Sequence, residues 1–185
     1  MLSNISRESD TPLSGVSAVG VTFESQGIWP SSALFRDTEF ANLHQTSLVG
    51  KSGAFFVIGA GADNLGGVVT IETSTFTNCT TRAAQGGGGA VAVIDGGNLT
   101  LLDTTFAGCH ALQASGGALL VASEGFVSMV ASSITACTSM RNGGGVSVDG
   151  AGSTLLARNS IFQGERTQVD LPARAVDAHC ITPHT

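Results

Sequence analysis

Apolar and polar residues alternate along short runs of this chain, and the runs recur. Val69 and Ile71 flank Thr70, Leu99 and Leu101 flank Thr100, and Val127 and Met129 flank Ser128. A period of two marks strands with one buried face. Each run leads into a second: Thr75-Phe76-Thr77-Asn78-Cys79, Thr105-Phe106-Ala107-Gly108-Cys109 and Ser133-Ile134-Thr135-Ala136-Cys137, at offsets of 30 and 28 residues. A glycine-led strand completes the unit, as Gly88-Gly89-Ala90-Val91-Ala92-Val93, Gly116-Gly117-Ala118-Leu119-Leu120-Val121 and Gly143-Gly144-Gly145-Val146-Ser147-Val148. Repeats of this length mean a solenoid, in which each unit buries its apolar face against its neighbours.

Looser copies extend the pattern. Ser52 to Val57 repeats the glycine strand, Ala33 to Phe40 lies 36 residues before the Phe76 unit, and Thr154 to Ile161 follows the Ile134 unit by 27. Stacked, they predict inward columns: Phe35, Ile71, Leu101, Met129 and Leu156, and Phe40, Phe76, Phe106, Ile134 and Ile161. Phe55, Val91, Leu119 and Val146 form a third, and Val57, Val93, Val121 and Val148 a fourth. Thr70, Thr100, Ser128, Ala92 and Ser147 are expected to point outward. The fold class this predicts is all-β, a right-handed parallel β-helix of about five coils. Each coil has two or three short strands and climbs about 4.8 Å, for a rod roughly 25 Å long.

The expected organisation is a cap over 1–30, repeats over 31–165 and a cap or tail over 166–185. Gly15 to Val19 reads as the remains of one more glycine strand. The longer first unit implies an insertion, around Gln45 to Lys51 and Gly59 to Gly67. A β-helix leaves open strand edges at its ends; Trp29 and Pro30 are expected to close the lower one, and Val169 to His179 the upper.

Composition narrows the function. Only 12% of the 185 residues are charged, about half the usual share, while 25 are Gly and none is Tyr. The net charge of −6, with 8 Lys and Arg, argues against nucleic acid and anionic membrane surfaces as partners. No apolar run reaches the roughly 18 residues of a membrane span. Met1 to Gly15 lacks the apolar core of a signal peptide, so we expect another route, a removed leader or a piece of a longer protein.

Gly88-Gly89-Ala90-Val91 and Gly116-Gly117-Ala118-Leu119 alternate with Phe76-Thr77-Asn78-Cys79 and Phe106-Ala107-Gly108-Cys109. This alternation resembles the chlamydial polymorphic outer membrane protein repeat, a Gly-Gly-Ala-Ile-like strand followed by Phe-x-x-Asn. Cys stands where that motif has its Asn, and Ile134 replaces Phe in the third copy. The resemblance covers about residues 30 to 165. It implies a parallel β-helix and, by analogy with the adhesin passengers such repeats form, an adhesive surface module. Nothing in these residues corresponds to the membrane barrel of those proteins.

Cys79, Cys109 and Cys137 are expected to form a ladder at one inward corner, with Phe40, Phe76, Phe106 and Ile134 as its structural companions. Buried Cys packs as a small hydrophobe. A disulfide between rungs would need Cβ atoms nearer 3.8 Å than the ~4.8 Å of parallel stacking, and the spacing matches no zinc pattern. Cys180 lies outside the repeat. His44 and His110 share a column with Thr80 and Thr138, two rungs or roughly 10 Å apart, and read as exposed corner residues. Asp63, Asp95, Glu124 and Asp149 follow the glycine strand. Turn acids can hold Ca²⁺, but they also simply solvate turns.

Polysaccharide hydrolysis or lyase chemistry needs clustered acids on one face. Here the column of Thr73, Asp103, Ala131 and Arg158 holds one acid, and Glu72 stacks on Leu102. We therefore expect no catalytic, cofactor or metal site and no enzyme. Three sequons occur, at Asn4, Asn78 and Asn98, and Asn98, read as a turn residue, is the acceptor to expect. The leading reading is a structural or adhesive module at a cell surface or outside the cell, bound to proteins or surface glycans. The alternatives are an accessory subunit of a large complex, for instance an organellar membrane complex, and a polysaccharide-binding or -cleaving domain.

Overall fold

The computed structural model describes residues 21–23, 32–46, 52–58, 68–84 and 87–167. Every element among them is a strand. The strands form four parallel sheets of five rungs each. Sheet I contains Val21–Phe23, Phe55–Ile58, Val91–Ile94, Leu119–Ala122 and Val146–Asp149. Sheet II contains Ser32–Arg36, Val68–Glu72, Asn98–Leu102, Phe126–Val130 and Thr154–Arg158. Sheet III contains Glu39–Ala41, Thr75–Thr77, Thr105–Ala107, Ser133–Thr135 and Ile161–Gln163. Sheet IV contains His44–Gln45, Thr80–Thr81, His110–Ala111, Thr138–Ser139 and Arg166–Thr167. The chain visits the sheets in order and returns one rung higher, which makes a parallel β-helix.

Each coil thus carries four strands, not two or three. Sheet IV escapes the sequence because two residues cannot display a period. Ladder pairing also runs past the expected 31–165 range on both sides: Val21–Phe23 pairs with Phe55–Val57, and Arg166–Thr167 with Thr138–Ser139. Gly15 to Val19, Trp29, Pro30, the Gly59 to Gly67 stretch and Val169 to His179 lie outside the described residues.

The core fills the coil with inward columns. Phe40, Phe76 and Phe106 stack face to face, with ring centroids 4.5 and 4.7 Å apart and planes within 6°. Ile134 lies above Phe106 in register. Val69, Leu99 and Val127 form the first column of sheet II and Ile71, Leu101 and Met129 the second, all fully buried.

The last coil departs from the expected register by one residue. Leu156 pairs with Ser128, and Ala157 with Met129. Ile161 pairs with Ser133, and Phe162 with Ile134. Leu156 and Ile161 are therefore outward, 44% and 60% exposed. Shifting by one residue exchanges the two faces of a strand, and the paired apolar residues Leu155-Leu156 and Ile161-Phe162 hide the shift.

Glycine sets a narrow waist where the chain enters sheet I. A Cβ on Gly53, Gly89 or Gly117 would lie 1.8 Å from the carbonyl oxygen of the glycine one rung up. It would also lie 2.6–2.9 Å from the backbone of Thr80, His110 or Thr138. Any side chain here would push the glycine column off sheet IV. The entering turn also lies against the outer side of sheet I, since a Cβ on Gly116 would sit 3.0 Å from the Leu120 amide nitrogen. Ala92, Leu120 and Ser147, outward by alternation, are nonetheless at most 5% exposed.

Candidate functional site

Two corners of the coil are built alike. At the corner between sheets II and III, Asp37, Thr73, Asp103, Ala131 and Asn159 all take positive φ, between 43° and 51°. Each is followed by a hydroxyl residue: Thr38, Ser74, Thr104, Ser132 and Ser160. Ser74, Thr104, Ser132 and Ser160 each donate to the carbonyl two residues back. The hydroxyl oxygens of Ser74, Ser132 and Ser160 also accept the N–H of Thr38, Thr104 and Ser132, one rung down. Thr38, Ser74, Thr104 and Ser132 are buried, so these bonds satisfy groups that would otherwise be costly to bury.

At the corner between sheets III and IV, Asn42, Asn78, Gly108, Ala136 and Gly164 take positive φ. Cys79, Cys109 and Cys137 follow three of them, fully buried and free of disulfides. Their thiols repeat the hydroxyl pattern with sulfur. Each donates to the carbonyl two residues back, that of Thr77, Ala107 or Thr135, and the Cys109 N–H reaches Cys137 Sγ at 3.4 Å. Asn78 is occupied by its own ladder, donating from Nδ2 to Asn42 Oδ1 at 2.8 Å.

The three thiols interact. The hydrogen bond from Cys137 pulls Cys109 down, but the contact with Cys79, burial and the Cys79 charge outweigh it, and its pKa is pushed up to about 12. Cys137 is raised by its contact with Cys109 and by burial. Cys79 is lowered by the hydrogen bond with Cys109 against the opposing effect of burial. A thiol must ionise to attack or to ligate, so Cys109 and Cys137 are held in their unreactive form near neutral pH.

Sheet IV brings the histidines into line. His44, Thr80, His110, Thr138 and Arg166 form one column. They stand on strands, not at a corner. Nδ1 of His44 lies 2.7 Å from Thr80 Oγ1, and Nδ1 of His110 lies 2.7 Å from Thr138 Oγ1. The ladder continues past the strand ends, because the amides of Arg82, Leu112 and Met140 donate to Gln45, Thr81 and Ala111. Arg82, Leu112 and Met140 thereby form a second column, all exposed. Behind them lies a buried row of Gln45, Thr81, Ala111 and Ser139. Among the described residues, Gln45 Nε2 is the buried side-chain polar atom without a partner.

Other expected sites separate. Asp95, Glu124 and Asp149 do not share a column: Ile94 aligns with Ala122 through the shared ladder, Ala122 pairs with Asp149, and Asp95 and Glu124 fall one and two positions further on. Unequal turns undo the stacking, and Asp63 lies outside the described residues. Arg158 pairs with Val130, not Ala131, so the Thr73 column continues to Asn159. Asn98 is the first residue of a sheet II strand, half-buried between Val68 and Phe126, and not a turn residue. Asn4 and Cys180 lie outside the described residues.

Glu72 pairs with Leu102 and forms an ion pair with Arg36 at 2.7 Å. Among the described residues no group of three or more His, Cys, Asp or Glu is placed to hold a metal ion. No helix among them is long and apolar enough to cross a membrane. The sequence reading missed the hydroxyl ladder, because Ser and Thr are abundant everywhere. It also missed Arg82 and Arg141 as surface neighbours of the histidines, whose unequal spacing resolves only once the coils are stacked.

Four parallel sheets wound into one rod, with hydrogen-bonded ladders at its corners, define a β-helix. The right-handed β-helix region model matches residues 53–175, and the chain belongs to that family. No curated protein and no solved structure matches it.

Proposed function

We propose that the protein is a structural or adhesive module, acting at a cell surface or outside the cell by binding proteins or glycans. The observation that carries this reading is the regular exterior. Sheet II shows Thr70, Thr100 and Ser128 in one line, sheet III shows Thr75, Thr105 and Ser133, and sheet IV shows its His-Thr column. Each line repeats at about 4.8 Å, and a surface that repeats suits a partner that repeats. The likeness of the Gly-Gly-Ala and Phe-x-x-Cys motifs to the polymorphic outer membrane protein repeat supports the adhesive form of this reading. The test is an array of immobilised glycans and surface proteins probed with the intact chain. Binding to a subset, with the bound ligand recovered unchanged, is the expected result. Cleavage of a ligand would contradict it.

A second reading, an accessory subunit of a larger assembly, is favoured by the upper end. There Ile161 and Phe162 are 60% and 38% exposed, although Phe162 continues an otherwise buried column. Isolation of the native chain in a stable multi-subunit particle would support this second reading over the first.

A further inference from the structure

Each of the five coils places one basic side chain on the sheet IV side of the rod: His44, Arg82, His110, Arg141 and Arg166, in chain order. His44, Arg82, Arg141 and Arg166 are exposed and His110 is half-buried. The sheet IV strands and the turn residues described after them (82–84, 112–115 and 140–142) contain no Asp or Glu. The nearest acid in sequence, Glu165, is turned back, its Oε1 accepting the N–H of Gln163 at 2.8 Å. Among the described residues no ion pair engages Arg82, Arg141 or Arg166, whereas Arg36 on sheet II is paired with Glu72. In a chain of net charge −6 this is a segregated basic strip. It spans four rung intervals, about 19 Å.

We propose that this strip docks a linear anionic polysaccharide along the rod axis, which gives the glycan-binding form of the function proposed above a ligand class. The backbone there is already spent: the amides of Arg82, Leu112 and Met140 and the carbonyls of Gln45, Thr81 and Ala111 pair with one another. Between the described rungs of this face the strand edges are thus paired with one another and offer no place to add a peptide strand, so recognition along the strip falls to side chains repeating at the rung interval. A linear glycan that carries a carboxylate or sulfate on successive sugars repeats at nearly that interval. Arg presents a planar donor fork suited to either anion. Thr80 and Thr138 hold the imidazoles at Nδ1, and where the Thr hydroxyl is the donor of that bond the ring N–H is on Nε2. Leu112 and Met140, each 42% exposed, offer apolar contact to the sugar rings.

The test is retention of the full chain on immobilised polygalacturonate and heparin, with neutral dextran and poly-glutamate as comparisons. We expect retention on one or both anionic glycans that weakens as salt is added. It should fall about tenfold or more in the triple variant Arg82→Gln, Arg141→Gln, Arg166→Gln. Arg158→Gln, on sheet II, should leave it unchanged, and far-UV circular dichroism should show all variants folded. Preference between the two glycans assigns the anion as carboxylate or sulfate. The proposal is overturned if neither glycan is retained, if poly-glutamate is retained as firmly, or if the triple variant binds like the parent. Should the strip fail while the array still finds a partner on another face, the adhesive reading stands and this one falls.

Discussion

The backbone N–H of Cys109 points at Cys137 Sγ, 3.4 Å away on the next rung. The same bond is made at the neighbouring corner by the Thr104 N–H and Ser132 Oγ, at 3.0 Å. Sulfur and oxygen do one job at two corners: they satisfy an amide that the sharp turn leaves outside the sheet ladder. The thiol column is therefore a hydrogen-bonded corner as well as a packing feature. Replacing Cys137 by Ser should keep the acceptor, and replacing it by Val should orphan the Cys109 amide. We expect Cys137→Val to be less stable than Cys137→Ser by about 1–3 kcal/mol, the cost of a buried unsatisfied donor. Urea titration of the two variants measures the difference, and equal midpoints would refute the role.

Proton uptake at the thiols gives a pH signature. Cys109 is raised from 9.0 to about 12 in the folded chain, and Cys137 is raised as well. Between those values the folded chain keeps protons that the unfolded chain has lost, so stability falls as pH rises. Cys79, lowered, acts in the opposite sense, but its effect lies below pH 9 and leaves this window to the other two. Urea midpoints should decline from about pH 9 toward about pH 12, less steeply in Cys109→Ala. A midpoint that stays level across this window would contradict the shift.

The phenylalanine stack should be sensitive at its centre and tolerant at its end. Phe106 is fully buried beneath Ile134, while Phe162 is 38% exposed. Phe106→Ala removes a large side chain that its close-packed neighbours cannot replace, at a cost of about 3–5 kcal/mol. Phe162→Ala should cost well under half of that. Thermal melts of the pair rank them, and a reversed ranking would count against the stack.

Two glycines make a sharper contrast. A Cβ on Gly117 would meet the Gly144 carbonyl oxygen at 1.8 Å, whereas one on Gly108 would meet nothing within 4 Å. Gly108→Ala adopts only a left-handed backbone, at φ +61, which Ala136 already does one rung up. It should cost about 1–2 kcal/mol. Gly117→Ala must displace backbone on two sides, and we expect it to abolish the cooperative fold. Circular dichroism melts that found the two variants alike would overturn the waist.

Legibility in the sequence followed residue identity. The Phe-x-x-Cys copies at 76 and 106 and the Ile-x-x-Cys copy at 134 carry the coil length, and the alternation around Thr70, Thr100 and Ser128 carries the inward columns. The register of the last coil was hidden because Leu155-Leu156 and Ile161-Phe162 are apolar on both faces. At the corners, Asp37, Asn42 and Asn78 are residue types that tolerate positive φ, but Thr73, Ala131 and Ala136 give no such signal. The basic strip was invisible for another reason: 44, 82, 110, 141 and 166 are unevenly spaced, and only the coil brings them together.

All of these readings rest on one claim, that side chains from five coils stand in straight columns along a single rod. Nuclear Overhauser contacts from the Ile134 methyl groups test it most directly. The account predicts contacts to the rings of both Phe106 below and Phe162 above. Contacts to Ile161 in place of Phe162, or none to Phe106, would contradict it.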